Sequence, residues 1–278
     1  MGSRSLPVIG TPPFSPDVVV RAGEPLTDPF GRRIDYVRVS VTDRCNLRCS
    51  YCMPAEGMRW IPQAQILSYE EIARIVSVLA DSGVRRVRLT GGEPTVRREL
   101  DHLVRRLAAI PGIDDIALTT NGLRLRELAR PLVDAGLTRF NVSLDTLDPV
   151  RFATLTRGGD VARVLDGIDA VLELGLPRPT KINSVVVGGR SDQDAVALVR
   201  RFEGRDVVVR FIEYMPFTDQ EGWASGGYVP LAQVRDVLVR ELGIEPGASV
   251  AGSGPAEYWA VPGGTVRVGF IHPVSEHF

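Results

Sequence analysis

Most of the features that betray a function through composition are missing from this sequence. No apolar run in its 278 residues approaches the roughly 20 that span a bilayer, and the first residues lack the basic-then-apolar order of a secretory signal. The expectation is a soluble, cytoplasmic protein with no membrane partner. An excess of charge is missing too, since 33 Lys and Arg stand against 34 Asp and Glu, net −1. That leaves no global field to hold nucleic acid, and a polyanionic ligand must be met by a local cluster of cations. Histidine and cysteine are both scarce, at three each. An odd number of cysteines compressed into residues 45–52 makes a poor disulfide framework and a good metal site, and it implies a reducing compartment.

What is present is enough apolar residue, 44%, to bury a large core. Residues 1–27 are rich in Pro, Gly and Ser without periodicity and read as a mobile leader. From Asp35 onward, short β-branched runs alternate with helical periodicity. Strands are expected over Tyr36–Thr42, Arg85–Thr90, Asp115–Thr119, Arg139–Leu144, Thr180–Val187 and Val207–Tyr214. Helices are expected over Tyr69–Ser82, Arg97–Ala109, Leu123–Ala135, Val161–Leu174 and Asp192–Phe202, the first opened by a Ser68/Glu71 capping box before Ile72, Ile75, Val76 and Leu79. After Met215 the rhythm breaks into a loop-like stretch, a helix at Leu231–Leu242 and two strands within Glu257–Ile271 joined at Pro262–Gly264.

Alternating strands and helices imply a parallel sheet, either doubly wound or closing towards a barrel. Strand faces choose between them. Tyr36, Arg38 and Ser40 share one face of the first strand, opposite Val37, Val39 and Val41. Arg86, Arg88 and Thr90 likewise oppose Val87 and Leu89, Asn141 and Ser143 oppose Phe140 and Val142, and Lys181 and Asn183 oppose Ile182. A sheet covered on both sides would be apolar on both. The expected fold is therefore α/β, a partial (βα)6 TIM-like barrel with a ligand-filled lumen.

Cys45-Asn-Leu-Arg-Cys49-Ser-Tyr-Cys52 follows the first strand, where barrel enzymes place their chemistry. Iron–sulfur clusters commonly take four thiolates. Three leave one iron of a [4Fe–4S] cluster open to chelate S-adenosylmethionine (SAM) and pass it an electron, and the radical chemistry then belongs to the cofactor. The alternative is a structural zinc site with His102, His272 or His277 as fourth ligand, or three unrelated thiols. Gly91-Gly92-Glu93-Pro94 ends the second strand, with glycines that admit a close ligand and a carboxylate able to pair with the SAM ammonium. Thr119-Thr120-Asn121-Gly122 and Ser143-Leu144-Asp145 stand at later strand ends.

These residues resemble the GTP 3′,8-cyclase family, radical SAM enzymes that open molybdenum-cofactor biosynthesis. The likeness runs through Asp28–Pro54, Val87–Arg98, Thr119–Gly122, Asn141–Asp145, Lys181–Asn183, Arg210–Met215 and Gly269–Phe278. It implies that Cys45, Cys49 and Cys52 hold the cluster that cleaves SAM, that Tyr51, Gly92, Ser143 and Met215 join Gly91 and Glu93 around SAM, and that Arg38, Arg88, Thr119, Lys181 and Arg210 bind GTP. The implied reaction removes the hydrogen atom from the ribose 3′ carbon and bonds that carbon to guanine carbon-8, giving 3′,8-cyclo-7,8-dihydro-GTP. The resemblance also implies a flavodoxin-like one-electron donor, a downstream cyclic pyranopterin monophosphate synthase and a homodimer.

Arg38, Arg86 and Arg88 have a plainer reading, as partners of Asp and Glu in internal salt bridges. Family members add three cysteines after the Ser-Glu-His-Phe at 275–278, for a second [4Fe–4S] cluster, and the sequence given holds no fourth cysteine. The expected organisation is a leader at 1–27, a partial barrel at 28–215 and a truncated auxiliary-cluster region at 216–278, with cyclisation impaired. A radical SAM enzyme acting on another substrate such as a peptide, and a non-catalytic remnant that binds SAM or nucleotide, are the competing readings.

Overall fold

The computed structural model describes residues 24–188, 191–215, 227–248, 250 and 256–273. Most of the expected leader, the segment after Met215 and the last five residues lie outside this set. Residues 24–27 lie within it, where Leu26 N donates to Ser82 O and Thr27 bridges Arg33.

Six strands run parallel and in sequence order: β1 (Tyr36–Ser40), β2 (Arg86–Thr90), β3 (Asp115–Thr120), β4 (Arg139–Ser143), β5 (Thr180–Val186) and β6 (Val207–Glu213). The helices between them are α1 (Tyr69–Asp81), α2 (Leu100–Ala108), α3 (Leu125–Asp134), α4 (Pro149–Thr156), α5 (Val161–Glu173) and α6 (Ser191–Arg201). After α7 (Leu231–Leu242), the short β7 (Glu245–Pro246), β8 (Glu257–Ala260) and β9 (Arg267–Ile271) extend the same sheet in the order β6-β9-β8-β7. The two late strands expected from the sequence are both present. Sequence pattern did not show that β9 runs parallel to β6 with Arg210 opposite Gly269.

In a flat sheet β2 and β6 would stand about 19 Å apart at roughly 4.8 Å per strand. Yet Arg210 on β6 lies close enough to lower the proton affinity of Arg88 on β2, and Tyr36 on β1 lies close enough to influence Arg210. The sheet is therefore rolled into an open arc whose inner face carries the polar residues. Its outer face is the apolar set of the two-residue period: Val87, Leu89, Ile116, Leu118, Phe140, Val142, Ile182, Val207, Val209 and Phe211 are almost wholly buried in one core with the helices. α2 shows the matching helical stripe, with Leu100, Leu103, Val104 and Leu107 all buried.

Local signals behaved unevenly. The capping box is formed, Ser68 Oγ accepting from Glu71 N at 3.2 Å and the Glu71 carboxylate accepting from Ser68 N at 2.7 Å. Ile75 of the expected apolar run is exposed, however, and only Ile72 and Val76 are buried there. α2 begins at Leu100 rather than Arg97, because Pro94–Val96 form a 3-10 turn and Arg97 turns its guanidinium to Val41 O and Leu67 O. α4 was not expected at all, although Asp148 before Pro149 is a helix-start signal; its carboxylate accepts from Val150 N and Arg151 N.

At the start of β3, Asp115 is 1% exposed and takes charge-assisted contacts from Arg139 (2.7 Å) and Arg178 (3.4 Å), with Thr138 Oγ1 donating at 2.7 Å. Removing one partner of a buried pair strands the other charge. Asp115→Ala is expected to lower unfolding free energy by about 3–5 kcal/mol in urea melts. A loss below about 1 kcal/mol would show that the arginines re-partner freely.

Candidate active site

The segment leaving β1 bears the three cysteines and is stitched to the end of β2. Gly92 N donates to Thr42 O at 2.7 Å and Glu93 N to Arg44 O at 2.8 Å. A Cβ at Gly91 would stand 2.3 Å from Thr42 O, and one at Gly92 would stand 2.3 Å from Arg44 O. The glycines thus admit the protein's own cysteine loop, a use of close approach that the sequence did not distinguish from contact with a ligand.

Glu93 is also engaged within the protein. Its carboxylate is 1% exposed and accepts from Thr95 N (3.0 Å), Thr95 Oγ1 (2.6 Å), Thr120 Oγ1 (2.7 Å) and Asn121 N (2.7 Å). With four donors it joins the ends of β2 and β3.

Cys45 and Cys49 are half-buried and Cys52 is exposed. Burial pushes the Cys49 thiol up to about 12, and Asp145, Cys52 and Cys45 add to the shift. Cys45 and Cys52 are also raised, chiefly by burial. The three are near enough to oppose one another's ionisation. Among the described residues, however, no three His, Cys, Asp or Glu side chains close around a single metal ion. His102 lies beside Asp101 on α2 and His272 packs against the Phe270 ring, so among the described residues the zinc reading finds no fourth ligand; His277 is outside them. Three neighbouring but unconverged thiols suit a polynuclear cluster with each sulfur on its own iron.

Tyr51, between the second and third cysteines, donates its hydroxyl to Asp145 Oδ2 at 2.7 Å, and Val185 N donates to Asp145 Oδ1 at 2.8 Å. Burial nevertheless pushes the Asp145 carboxyl up to about 6. The cysteine loop is thereby tied to the ends of β4 and β5. Ser143 closes β4, Thr119 lies one residue from the end of β3, and Met215 follows β6 by two residues; all three are half-buried at the same end of the barrel.

The lumen cations lie further down the strands, Lys181 and Arg210 buried, Arg88 half-buried and Arg38 exposed. Arg38 and Arg88 are opposed in register on β1 and β2, and Lys181 and Arg210 lie on the adjacent β5 and β6. Arg86 pairs with Asp35 and Arg139 with Asp115. Among the described residues Arg38, Arg88, Lys181 and Arg210 make no ion pair, so the salt-bridge reading holds for Arg86 and fails for Arg38 and Arg88. Their direct contacts include neutral groups. The Tyr36 ring stands 5.3 Å from the Arg88 guanidinium and 5.9 Å from that of Arg38, and Arg210 donates to Asn183 Oδ1 (2.6 Å) and Asn141 Oδ1 (3.3 Å). Burial lowers Arg88 to about 10 and Lys181 to about 7, with neighbouring arginines pushing the same way. Buried Arg88 Nε has no hydrogen-bond partner. Sequence reasoning assigned no role to Tyr36, Asn141, Asn183 or Asp145, although the first three sat on the polar strand faces it had marked.

Comparisons with known proteins agree with this arrangement. Residues 39–202 match the Radical SAM superfamily and residues 207–278 match Molybdenum Cofactor Synthesis C. The chain is 50% identical over 254 residues to a GTP 3′,8-cyclase of Pelotomaculum thermopropionicum, covering 91% of this chain and 78% of that one. To a GTP 3′,8-cyclase of Listeria monocytogenes it is 45% identical over 255 residues, covering 91% and 76%. Among solved structures it resembles Streptococcus suis SuiB bound to S-adenosylmethionine, with TM-score 0.60 and 18% identity over 85% of this chain and 50% of that one. A radical SAM methyltransferase from Sphaerobacter thermophilus gives TM-score 0.55 at 20% identity, over 73% of this chain and 62% of that one. The two structures bear on the fold alone; on the family matches and the close relatives, the chain belongs to the GTP 3′,8-cyclase family of radical SAM enzymes.

Proposed function

We propose that this chain binds a [4Fe–4S] cluster through Cys45, Cys49 and Cys52 and converts GTP to 3′,8-cyclo-7,8-dihydro-GTP for molybdenum-cofactor biosynthesis. The observation that carries the substrate is the set of lumen cations, Arg38, Arg88, Lys181 and Arg210, which no described carboxylate neutralises. Uncompensated cations in a partly buried lumen are costly unless a ligand supplies the anion, and a triphosphate supplies several. A peptide substrate would not call for them. When bound, the cluster supplies the electron that cleaves SAM to a 5′-deoxyadenosyl radical.

The chain's own residues then have distinct tasks. Arg38, Arg88, Lys181 and Arg210 hold the triphosphate, Asn141 and Asn183 aim Arg210, and Thr119 lies nearer the rim for the nucleoside. Tyr51, Gly91, Gly92, Ser143 and Met215 surround SAM, where holding the ribose near the radical centre matters because a displacement near 1 Å can cost about a hundredfold in rate. Residues 216–278 would belong to the C-terminal auxiliary-cluster region, within the 207–278 match to Molybdenum Cofactor Synthesis C. The electron comes from a one-electron donor of the flavodoxin kind, for which exposed Cys52 marks the accessible side, and the product passes to a cyclic pyranopterin monophosphate synthase. Among the described residues no helix is long and apolar enough to cross a membrane. A homodimer is implied by the family resemblance alone.

Anaerobic reconstitution of the 278-residue chain is expected to load about four irons, and Cys49→Ala to lose them. Colourless protein holding one zinc would sink the cluster assignment. Arg88→Ala and Lys181→Ala should each weaken GTP binding by about 1.5–3 kcal/mol with SAM affinity unchanged, as read by calorimetry. Unaltered GTP affinity in both variants would remove the lumen from substrate binding.

Lys181 also sets a pH signature. Its folded pKa of about 7 lies below the ordinary 10.5. Below pH 7 the ammonium is charged in both folded and unfolded chains and its burial penalty is fully present. Between 7 and 10.5 the folded chain has shed a proton that the unfolded chain keeps, so stability rises with pH across that window. Wild type should gain stability there relative to Lys181→Met. At pH 8, GTP binding should take up a proton in wild type but not in Lys181→Met, measured in buffers of different ionisation enthalpy.

A further inference from the structure

The end of α4 lies against the cysteine loop. Arg48 N donates to Thr156 O at 3.1 Å and Ser50 N to Leu155 O at 2.8 Å. Arg157 Nη1 then donates to Arg48 O at 3.1 Å and to Met53 O at 2.8 Å. Those two carbonyls bracket Cys49 and Cys52, so one guanidinium spans the segment that carries two of the three thiols. Behind it the packing is tight: a Cβ on Gly159 would come within 2.5 Å of Thr156 Oγ1 and 3.2 Å of Leu47, the residue midway between Cys45 and Cys49. α4 is itself anchored, Arg151 donating to Val187 O and Gly188 O, both at 2.9 Å, and pairing with Asp194 at 2.8 Å.

The backbone at Arg157 is the second observation. It is left-handed, φ 53 and ψ 57, one of two described non-glycine residues with positive φ. A Cβ disfavours that region, and helix ends that need it commonly use glycine. Glycines occupy the next two positions, 158 and 159, yet the left-handed residue that ends α4 is an arginine. A backbone outlier points to what its side chain does, and here that is the bridge between two carbonyls.

We propose that Arg157 is a positioning residue that fixes the spread of Cys49 and Cys52 and so slows escape of the cluster, an inference that rests on the proposed cluster assignment. It separates the needs of the helix from those of the loop. Arg157→Gly relieves the backbone and removes the bridge, whereas Arg157→Lys keeps the charge but reaches one carbonyl at a time.

The test compares wild type, Arg157→Gly and Arg157→Lys. In reconstituted protein, loss of cluster absorbance to an iron chelator should be about tenfold faster in Arg157→Gly, the scale seen when outer partners of metal ligands are removed, with Arg157→Lys between. Iron-free Arg157→Gly should melt no lower than wild type, and amides 48–53 should exchange faster in it. Iron retention equal to wild type in Arg157→Gly overturns the proposal. So does a large fall in its iron-free melting temperature, which would make Arg157 a fold residue. If wild type loads no four-iron cluster, the cluster assignment itself fails, and amide exchange in the iron-free proteins still decides the clamp: equal exchange at 48–53 overturns it.

Discussion

The structure depends on tolerating positive charge on the inside of a sheet. Arg38, Arg88, Lys181 and Arg210 face one lumen and make no ion pair among the described residues; the nearby carboxylate, Asp115, is taken up by Arg139 and Arg178, and burial lowers the proton affinity of Arg88, Lys181 and Arg210. Neutral oxygens and rings hold them in place: Tyr36 beside Arg38 and Arg88, Asn141 and Asn183 under Arg210. Carboxylates in those positions would have stabilised the empty protein and cancelled the field a polyanion needs. Asp115, buried and ion-paired, sits at the opposite end of its strand from the cysteine loop and takes Arg139 and Arg178. The stability given up in the lumen is offset on the outer face, where apolar side chains of every strand from β2 to β6 enter a single core with the helices.

The cysteine loop shows the same division between scaffold and ligand. It is held by three strand or helix ends that are remote in sequence: Gly91–Glu93 after β2, Asp145 after β4, and Leu155–Arg157 at the end of α4. The loop's shape is maintained largely by backbone carbonyls, one phenol and one guanidinium; of the thiols, Cys45 Sγ accepts from Leu47 N at 3.4 Å and Cys49 lies within reach of the Tyr51 hydroxyl. Glu93, with four donors, makes β2 and β3 move as one piece beneath that loop.

Much of this could be read from the sequence because the signals are local. The two-residue alternation at Arg86-Val-Arg-Leu-Thr90 shows a polar and an apolar face whatever the partners are, and three cysteines in eight residues have few chemical uses. The missed features depend on partners distant in the chain. Nothing local says that Gly92 lacks room because Arg44 O stands against it, or that Glu93 takes hydrogen bonds from Thr120 and Asn121. Arg86 and Arg88 share one strand face, yet Asp35 reaches only the first. α4 escaped because eight residues are too few for a clear helical period, and its start signal, Asp148-Pro149, is also a turn signal.

Parallel topology turns these separate facts into one arrangement. Every strand from β1 to β6 ends at the same side, so the cysteine loop, the Gly91–Glu93 turn, Ser143 and Met215 form a rim. Arg88 lies three residues before Gly91, about 10 Å down the strand at roughly 3.3 Å per residue, and Lys181 lies near the start of β5. On the proposed assignment, sites for iron, for SAM and for a triphosphate would be layered along the barrel axis, with the thiols at the rim and the cations further down the strands. A ligand anchored below by its phosphates can present its sugar upward to whatever the rim holds, and the register between β1 and β2 sets that distance before any ligand arrives. The two ends of the site are held by different parts of the protein, the cations by strand interiors and the thiols by strand ends. Substitutions in one set should therefore leave the other's geometry nearly unchanged.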